Sequence, residues 1–430
     1  MRLAASAMCA IAVLMGSVAF AAWEPGEPVV TYGDGPGGPE VGPGGPRLSR
    51  LTEAWILQLK EGGFNTVWAT APDELDLAAK HGMRAIYFLD PNTMKSRYDI
   101  SDPGQAAALA ARIDRVKRHP ALYVYALHDE PSAKKFVDVA RLKEFVRRQD
   151  PDHAAWCNLY PIYANEKRLG TKGDKVHAYW EHLRLFGEVF HPDFLSYDNY
   201  QFRVQGDSDD YLQNLGMVRQ SAAAQGIPFW NGVQACSWVP GEAVSPKSPR
   251  IPGPNEMRFL VHSTAAYGAQ GIYYYVYFAK GHRGTIVAPD GTPDAKFEAL
   301  KTLNRAFVSI ARELRPLRFV GAYLHGLHAP GTTPYGDQAL LKLTPETPYA
   351  ELKPLQELTD TTLVTRFDTP GKPTHLMVVN CDYRKARTLH VTAPAAAERF
   401  DPLAGTWSPA GTAFDLALPG GGGVLLRLGK

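Results

Sequence analysis

Two neighbouring acids close an apolar run in the first third of the sequence. Asp129 and Glu130 follow directly on the run that ends near Leu127. At the end of a buried strand, mutual repulsion and lost solvation raise the pKa of one such carboxyl. A carboxylic acid with a raised pKa can protonate a glycosidic oxygen, so we predict Glu130 as general acid and Asp129 as its partner. Alternatively, both acids cap the helix expected from about Ser132.

Polar and aromatic residues close other apolar runs as well. In a parallel barrel the active site is built at the C-terminal ends of the strands, so these positions are the candidates. Asp198 is the second candidate catalytic acid. The candidate substrate-binding residues are Trp68, Asp90, His128, Tyr160, Tyr200, Trp230, Gln234, Trp238 and Tyr277. Aromatic rings can stack on sugar rings, and the Gln234 amide is expected to hydrogen-bond a sugar hydroxyl.

Short apolar runs alternate with longer amphipathic segments, which is typical of βαβ units and parallel strands. Strands are predicted over 29–32, 64–70, 83–90, 122–128, 154–160, 194–201, 228–235 and 272–278. Most of these runs are continuously apolar, as strands buried on both faces should be. Between these strands, apolar residues recur at the spacing of a helix, for example at Phe297, Leu300, Leu303 and Phe307. Eight strand–helix pairs predict a (β/α)8 TIM barrel over residues 22–319.

The segments that flank the barrel have different characters. Residues 1–21 are predicted to be a signal peptide, because Arg2 precedes an apolar stretch and small residues surround the expected cleavage site after Ala21. A membrane anchor is the alternative, but the stretch is short for a span. Residues 320–430 alternate in hydropathy and predict a small antiparallel β-sandwich-like domain. We therefore expect a secreted or periplasmic protein with no membrane association after cleavage.

Composition and missing motifs exclude several classes of protein. The formal net charge is only +2 and no basic stripe is present, so nucleic acid is not an expected partner. Residues 33–38 match G-x-G-x-x-G, but Pro and Gly continue through Pro46 and leave no helix N-terminus for a phosphate. H-E-x-x-H, paired C-x-x-C and G-x-S-x-G motifs are absent, so we expect no metal and no cofactor. The oligomeric state is not predictable.

The sequence resembles clan A glycoside hydrolases, especially the family 42 type of β-galactosidase and its relatives. The resemblance rests on Glu130 at the end of the fourth strand and on the stretches 255–258 (NEMR), 265–271 (AAYGAQG), 290–293 (DGTP) and 303–305 (LNR). The stretch 400–405 (FDPLAG) resembles the small β domain that follows many such barrels. The resemblance implies a TIM barrel, an oligo- or polysaccharide substrate and Glu130 as the acid/base residue.

One departure from that family leaves the mechanism open. The clan places its nucleophilic Glu at the end of the seventh strand, where this sequence has Gln234. Asp198 is one possible replacement, as base or nucleophile. A second possibility is a substrate-assisted N-acetylhexosaminidase, in which Asp129 orients the 2-acetamido group and Glu130 is the acid. A third is a non-catalytic carbohydrate-binding protein on a hydrolase scaffold.

Overall fold

The computed structural model describes residues 23–39, 50–239, 241–326, 329–346 and 361–429; the expected signal peptide lies outside them. Eight parallel strands form the first sheet, in the order β1-β8-β7-β6-β5-β4-β3-β2. These strands are β1 Val29–Gly33, β2 Thr66–Ala69, β3 Arg84–Phe88, β4 Leu122–Asp129, β5 Ala154–Leu159, β6 Leu195–Asn199, β7 Phe229–Gln234 and β8 Gly271–Tyr275. The predicted (β/α)8 barrel is confirmed.

Helices connect the barrel strands and cover their outer faces. They are α1 Glu53–Glu61, α2 Pro72–Lys80, α3 Pro103–Asp114, α4 Phe136–Gln149, α5 Glu166–Leu169, α6 Lys175–Phe190, α7 Tyr211–Gln225, α8 Pro254–Ala266 and α9 Ala295–Leu314. The apolar stripe predicted along α9 is buried. Among the described residues, no helix combines the length and apolar character needed to cross a bilayer.

Asn65 joins the two ends of the barrel sheet. Its backbone N–H donates to the carbonyl of Val30 at 3.1 Å. Its side-chain oxygen accepts from the Val30 N–H at 2.9 Å, and its amide nitrogen donates to the Pro28 carbonyl at 2.8 Å. A side chain thus supplies pairing that a strand ladder would otherwise provide. The barrel is nearly closed, and its carboxyl ends meet around a single mouth.

A second sheet follows the barrel and is largely antiparallel. Its strands are β9 Phe319–Gly326, β10 Thr333–Pro334, β11 Lys342–Pro345, β12 Thr361–Phe367, β13 Thr374–Asn380, β14 Arg387–Asp401, β15 Thr406–Leu418 and β16 Gly423–Leu428. Their order is β10-β9-β12-β13-β16-β14-β11, with β15 paired to β14. The predicted C-terminal antiparallel sheet is confirmed.

The second sheet is hydrogen-bonded to the loops beside the barrel mouth. Tyr383 donates its hydroxyl proton to Asp207, in the loop after β6, at 2.6 Å. Arg250, in the loop after β7, donates to the Tyr383 hydroxyl at 3.1 Å and to Asp207 at 3.3 Å. On α8, Arg258 donates to the carbonyl of Gly420 at 2.8 Å. The C-terminal sheet therefore supports two of the loops that shape the mouth.

Candidate active site

A cavity of about 460 Å³ opens at the carboxyl ends of the barrel strands. Four acids line it: Asp34 after β1, Asp129 and Glu130 at the end of β4, and Asp198 on β6. The aromatic side chains among its lining residues are Trp68, Trp156, Tyr163, Tyr200, Trp238, Tyr273 and Tyr275. The cavity thus combines groups that exchange protons with flat apolar surfaces, as carbohydrate sites do.

Asn158 is the centre of a hydrogen-bond network on the cavity floor. Its amide nitrogen donates to Asp198 Oδ2 at 3.0 Å and to Asp129 Oδ1 at 3.3 Å. Its amide oxygen accepts from the Tyr273 hydroxyl at 2.9 Å and from the Ser196 hydroxyl at 3.0 Å. All these residues lie on neighbouring or facing strands, so one side chain on β5 holds the two acids of β4 and β6 in position.

Gly232 makes room for the Tyr273 ring. The two residues are opposite each other in the β7–β8 register, and a Cβ at position 232 would lie 2.1 Å from the ring. Any larger residue would displace the phenol, which donates to Asn158 and, at 3.4 Å, to Asp198 Oδ2. The glycine in the middle of β7 is therefore a requirement of the network on the cavity floor.

Glu130 leaves the strand with an unusual backbone conformation. Its φ is +50°, in the left-handed region that non-glycine residues rarely adopt, and its N–H donates to the Asn158 carbonyl at 2.8 Å. Asp34 also has a positive φ, +34°. Such strain is found where the surrounding structure imposes it, often at functional sites. Both strained acids line the same cavity.

Burial raises the pKa of Glu130 well above its ordinary value, and the nearby charges of Asp198 and Asp129 raise it further. Lys95 and Arg168 lower it, but they are outweighed. Among the described residues, no group donates a hydrogen bond to the Glu130 carboxyl. Its environment consequently favours the protonated form, which is the form that a general acid needs.

The other three acids also have raised pKa values, mainly because they are buried. Burial and the charge of Asp129 raise the pKa of Asp34 to about 7. Burial raises the pKa of Asp129 and that of Asp198, and Asp129 adds to the effect on Asp198. Hydrogen bonds from Asn158, Tyr200 and Tyr273 act in the opposite direction on Asp198. The four carboxyls cannot all be ionised at neutral pH without a large electrostatic cost.

The structure brings together half of the residues predicted from the sequence. The predicted residues that line the cavity are Trp68, Asp129, Glu130, Asp198, Tyr200 and Trp238. The predicted residues that do not line it are Asp90, His128, Tyr160, Trp230, Gln234 and Tyr277. Nevertheless, Tyr160 lies near Glu130: burial raises the pKa of the Tyr160 hydroxyl, and the negative charge of Glu130 raises it further.

Three of the outlying aromatic and acidic residues have identifiable structural contacts. Trp230 is the second residue of β7, and its ring stacks on Phe194 at 4.1 Å, far down the barrel from the strand's carboxyl end. Tyr277 lies beyond the end of β8 and donates its hydroxyl proton to Gln58 of α1 at 2.7 Å. Asp90 accepts from a backbone N–H of its own turn at 2.9 Å.

Gln234 is fully buried, and its side-chain amide is hydrogen-bonded to backbone groups. Its oxygen accepts from the Phe202 N–H at 2.9 Å, and its nitrogen donates to the carbonyls of Arg250 at 2.7 Å and Phe202 at 3.1 Å. These contacts tie the loops after β6 and β7 together. They leave the amide no capacity for the sugar hydroxyl expected from the sequence, so that assignment is replaced by a structural one.

Gln234→Glu is expected to destabilise the fold without adding a nucleophile. A carboxylate there would face the two carbonyl oxygens of Phe202 and Arg250, and a buried charge without a partner costs about 3 kcal/mol or more. Urea unfolding at neutral pH should show this loss, and turnover should not rise. Gln220→Glu, on the exposed face of α7, is the matched control and should unfold like the wild type. A stable Gln234→Glu chain with increased activity would contradict this assignment.

Sequence reasoning missed several residues that line the cavity. Asp34 lies within the glycine-rich pattern at residues 33–38, and the available signal was that it is an acid directly after a strand. Asn158 interrupts the apolar run 154–160, and a polar residue inside a buried strand was the available signal. Arg168 and Arg203, which follow β5 and β6, also line the cavity. Nothing in their spacing indicates it.

The described part of the chain contains no candidate metal site. Between residues 23 and 429, leaving out the undescribed stretches, no group of three or more His, Cys, Asp or Glu side chains has an arrangement that could hold a metal ion. The carboxyls of the cavity are spread around the mouth, and two of them are held by the Asn158 amide.

Comparisons with known proteins find likeness at the level of structure. No family model matches the sequence, and no curated protein matches it. A solved structure described as a glycoside hydrolase has 14% sequence identity and a TM-score of 0.53, covering 93% of this chain and 92% of the other. A glycoside hydrolase family 5 protein from Bacteroides vulgatus has 13% identity and a TM-score of 0.51, covering 87% and 85%. The chain thus shares the TIM-barrel fold of solved glycoside hydrolases.

Proposed function

We propose that this protein is a glycoside hydrolase that cleaves oligo- or polysaccharides, with Glu130 as general acid. The observation that carries the proposal is the cavity at the barrel mouth, where a half-buried acid with a raised pKa lies among three other acids and several aromatic rings. The structural likeness to two solved glycoside hydrolases supports the same class of reaction. A raised carboxyl pKa is what protonation of a glycosidic oxygen at neutral pH requires.

The second catalytic group is, in this proposal, Asp34 rather than Asp198. Asp198 Oδ1 is buried, and Oδ2 is shared among Asn158, Tyr200 and Tyr273. Oδ1 has no hydrogen-bond partner among the described residues, but it has almost no accessible surface for a water in the cavity, and Oδ2 already accepts three hydrogen bonds. The Asp34 carboxyl lines the cavity and receives no hydrogen bond from any described residue. Its pKa of about 7 is suited to a general base near neutral pH.

The reaction then proceeds by single displacement. Glu130 gives its proton to the glycosidic oxygen, and the bond between that oxygen and the anomeric carbon breaks. A water oxygen bonds to the anomeric carbon while one water proton passes to Asp34. Asp34 follows β1 and Glu130 follows β4, so the two carboxyls are three strands apart around the mouth. Direct attack by water opposite the leaving group predicts inversion of configuration.

The cellular location expected from the sequence enters this proposal unchanged. The N-terminal apolar stretch supports action outside the cytoplasm, after removal of residues 1–21. The resemblance to family 42 enzymes concerns short motifs, and none of the described acids that line the cavity lies on or after β7. We therefore propose no particular sugar on that basis.

A panel of labelled oligosaccharides, incubated with the chain from Ala22 onward, tests the proposal. We expect turnover of at least one glycan, and NMR of the first product should show inverted anomeric configuration. Retained configuration would instead point to a covalent or substrate-assisted route, the latter if only N-acetylated sugars are cleaved. Glycan binding without turnover of any panel member would contradict the hydrolase and favour the carbohydrate-binding alternative.

A further inference from the structure

Two arginines line the candidate active site, and neither has a carboxylate partner among the residues that the structure describes. Arg168 belongs to α5, after β5, and Arg203 lies in the loop after β6. Within the described part of the chain, neither guanidinium forms an ion pair or a hydrogen bond. The Arg203 guanidinium lies over the Tyr163 ring, 5.4 Å from its centre. On the outer surface, by contrast, Arg184 pairs with Glu181 at 2.7 Å.

The two arginines lie on one side of the mouth. Their strands, β5 and β6, are neighbours in the barrel. Tyr163 connects the two loops, because its hydroxyl accepts from the Tyr200 N–H at 3.2 Å while its ring supports Arg203. Asp34, after β1, lies on the opposite side. The side of the cavity formed by the loops after β5 and β6, called here the cationic side, carries Arg168 and Arg203, while three of the four acids lie on or next to the neighbouring strands β4 and β6.

The carboxyls of the cavity are poor counter-ions for these arginines. Burial raises the pKa values of Asp34, Asp129, Glu130 and Asp198, which favours their neutral forms. Arg168 does lower the pKa of Glu130, but the effect is smaller than that of burial. The cationic side is therefore left with positive charge that the protein itself does not neutralise. Guanidinium groups bind carboxylate and sulfate oxygens through paired N–H donors.

We propose that the cationic side is a subsite for a sugar residue that carries an anionic group, so that the substrate is an acidic glycan. The inference rests on the proposed glycosidase function and names its class of substrate. Carboxylated sugars and sulfated sugars present the same chemistry to two arginines. A planar carboxylate and a tetrahedral sulfate differ in geometry, and the experiment separates them.

Binding to the Glu130→Gln chain, measured by calorimetry, tests the subsite without requiring turnover. The ligands are three oligosaccharides of equal length: one neutral, one with uronic acid units and one sulfated. We expect one of the two acidic ligands to bind at least tenfold more tightly than the neutral one, and added salt to weaken that preference. Equal affinity for all three would overturn the proposal.

Arg168→Gln and Arg203→Gln, each added to that chain, locate the preference. Each should weaken binding of the preferred acidic ligand about tenfold and leave the neutral ligand unaffected. Arg203→Lys should keep part of the affinity, since the charge remains. Arg141→Gln, on the exposed face of α4, is the matched control.

The outcomes for the subsite and for the hydrolase are distinguishable. Unchanged affinity for the acidic ligand in both glutamine variants would contradict the subsite, even if neutral glycans were hydrolysed. Tight acidic binding without wild-type turnover would support the subsite and contradict the hydrolase.

Discussion

Glu130→Gln is expected to lower kcat/KM by about 10³-fold on glycans with poor leaving groups, because general acid catalysis contributes 10²- to 10⁴-fold. The glutamine amide has nearly the same size and shape as the carboxyl, but it has no acidic proton to donate. A nitrophenyl glycoside, whose leaving group departs without protonation, should lose much less. Steady-state kinetics on the two substrates measures the difference.

Glu24→Gln is the matched control for this change. Glu24 lies outside the cavity, and its side chain is 85% exposed. It should leave both substrates unaffected. Equal losses on both substrates in Glu130→Gln would indicate a role other than proton donation, and wild-type kinetics would remove Glu130 from the mechanism.

Asp34→Asn is expected to lower kcat/KM by about 10²- to 10³-fold and to change the pH profile. In the proposed mechanism, activity needs Asp34 ionised and Glu130 protonated. The rate should therefore rise as pH passes about 7, the pKa of Asp34, and fall at higher pH as Glu130 ionises. The variant should lose the rise near pH 7 and keep the fall. An optimum near pH 5 in the wild type would contradict the assignment.

Stability measurements separate a catalytic loss from a folding defect. The pKa of Asp34 is raised from 3.8 to about 7 in the folded chain. Between these values the folded state binds a proton that the unfolded state does not, so stability falls as pH rises through this range. Asparagine does not ionise, so the variant does not lose stability at this position as pH rises. At about pH 8, Asp34→Asn should therefore melt at or above the wild-type temperature. Asp138→Asn, an exposed change on α4, should alter neither activity nor this trend.

The fold was predictable because each barrel strand has a local signature. The apolar runs of β4 and β5 are buried on both faces, and no polar alternation obscures them. The strands end one or two residues earlier than predicted at several places, for example before Thr70 and Asp90. The polar residues at those positions belong to the loops, where their backbone groups have hydrogen-bond partners outside the sheet.

The site was predictable only where a single segment carried the signal. Asp129 and Glu130 are adjacent in sequence, and their repulsion can be inferred without knowing the fold. The network around Asn158 depends on which residues of β4, β6 and β8 face it across the barrel, and that register is a property of the closed sheet. The observed role of Gln234 differs from the predicted one because its partners, Phe202 and Arg250, come from two loops that are distant in sequence.

The contacts of Tyr383 connect two parts of the chain that are separate in sequence, the barrel and the C-terminal sheet. Tyr383, in the loop between β13 and β14, shares hydrogen bonds with Asp207 and Arg250, and the Arg250 carbonyl in turn accepts from Gln234 of β7. A barrel transferred to another protein without its trailing sheet would keep the four acids of the cavity but lose the hydrogen bonds that support the loops after β6 and β7. Inheritance of the two parts as one unit is the expected consequence.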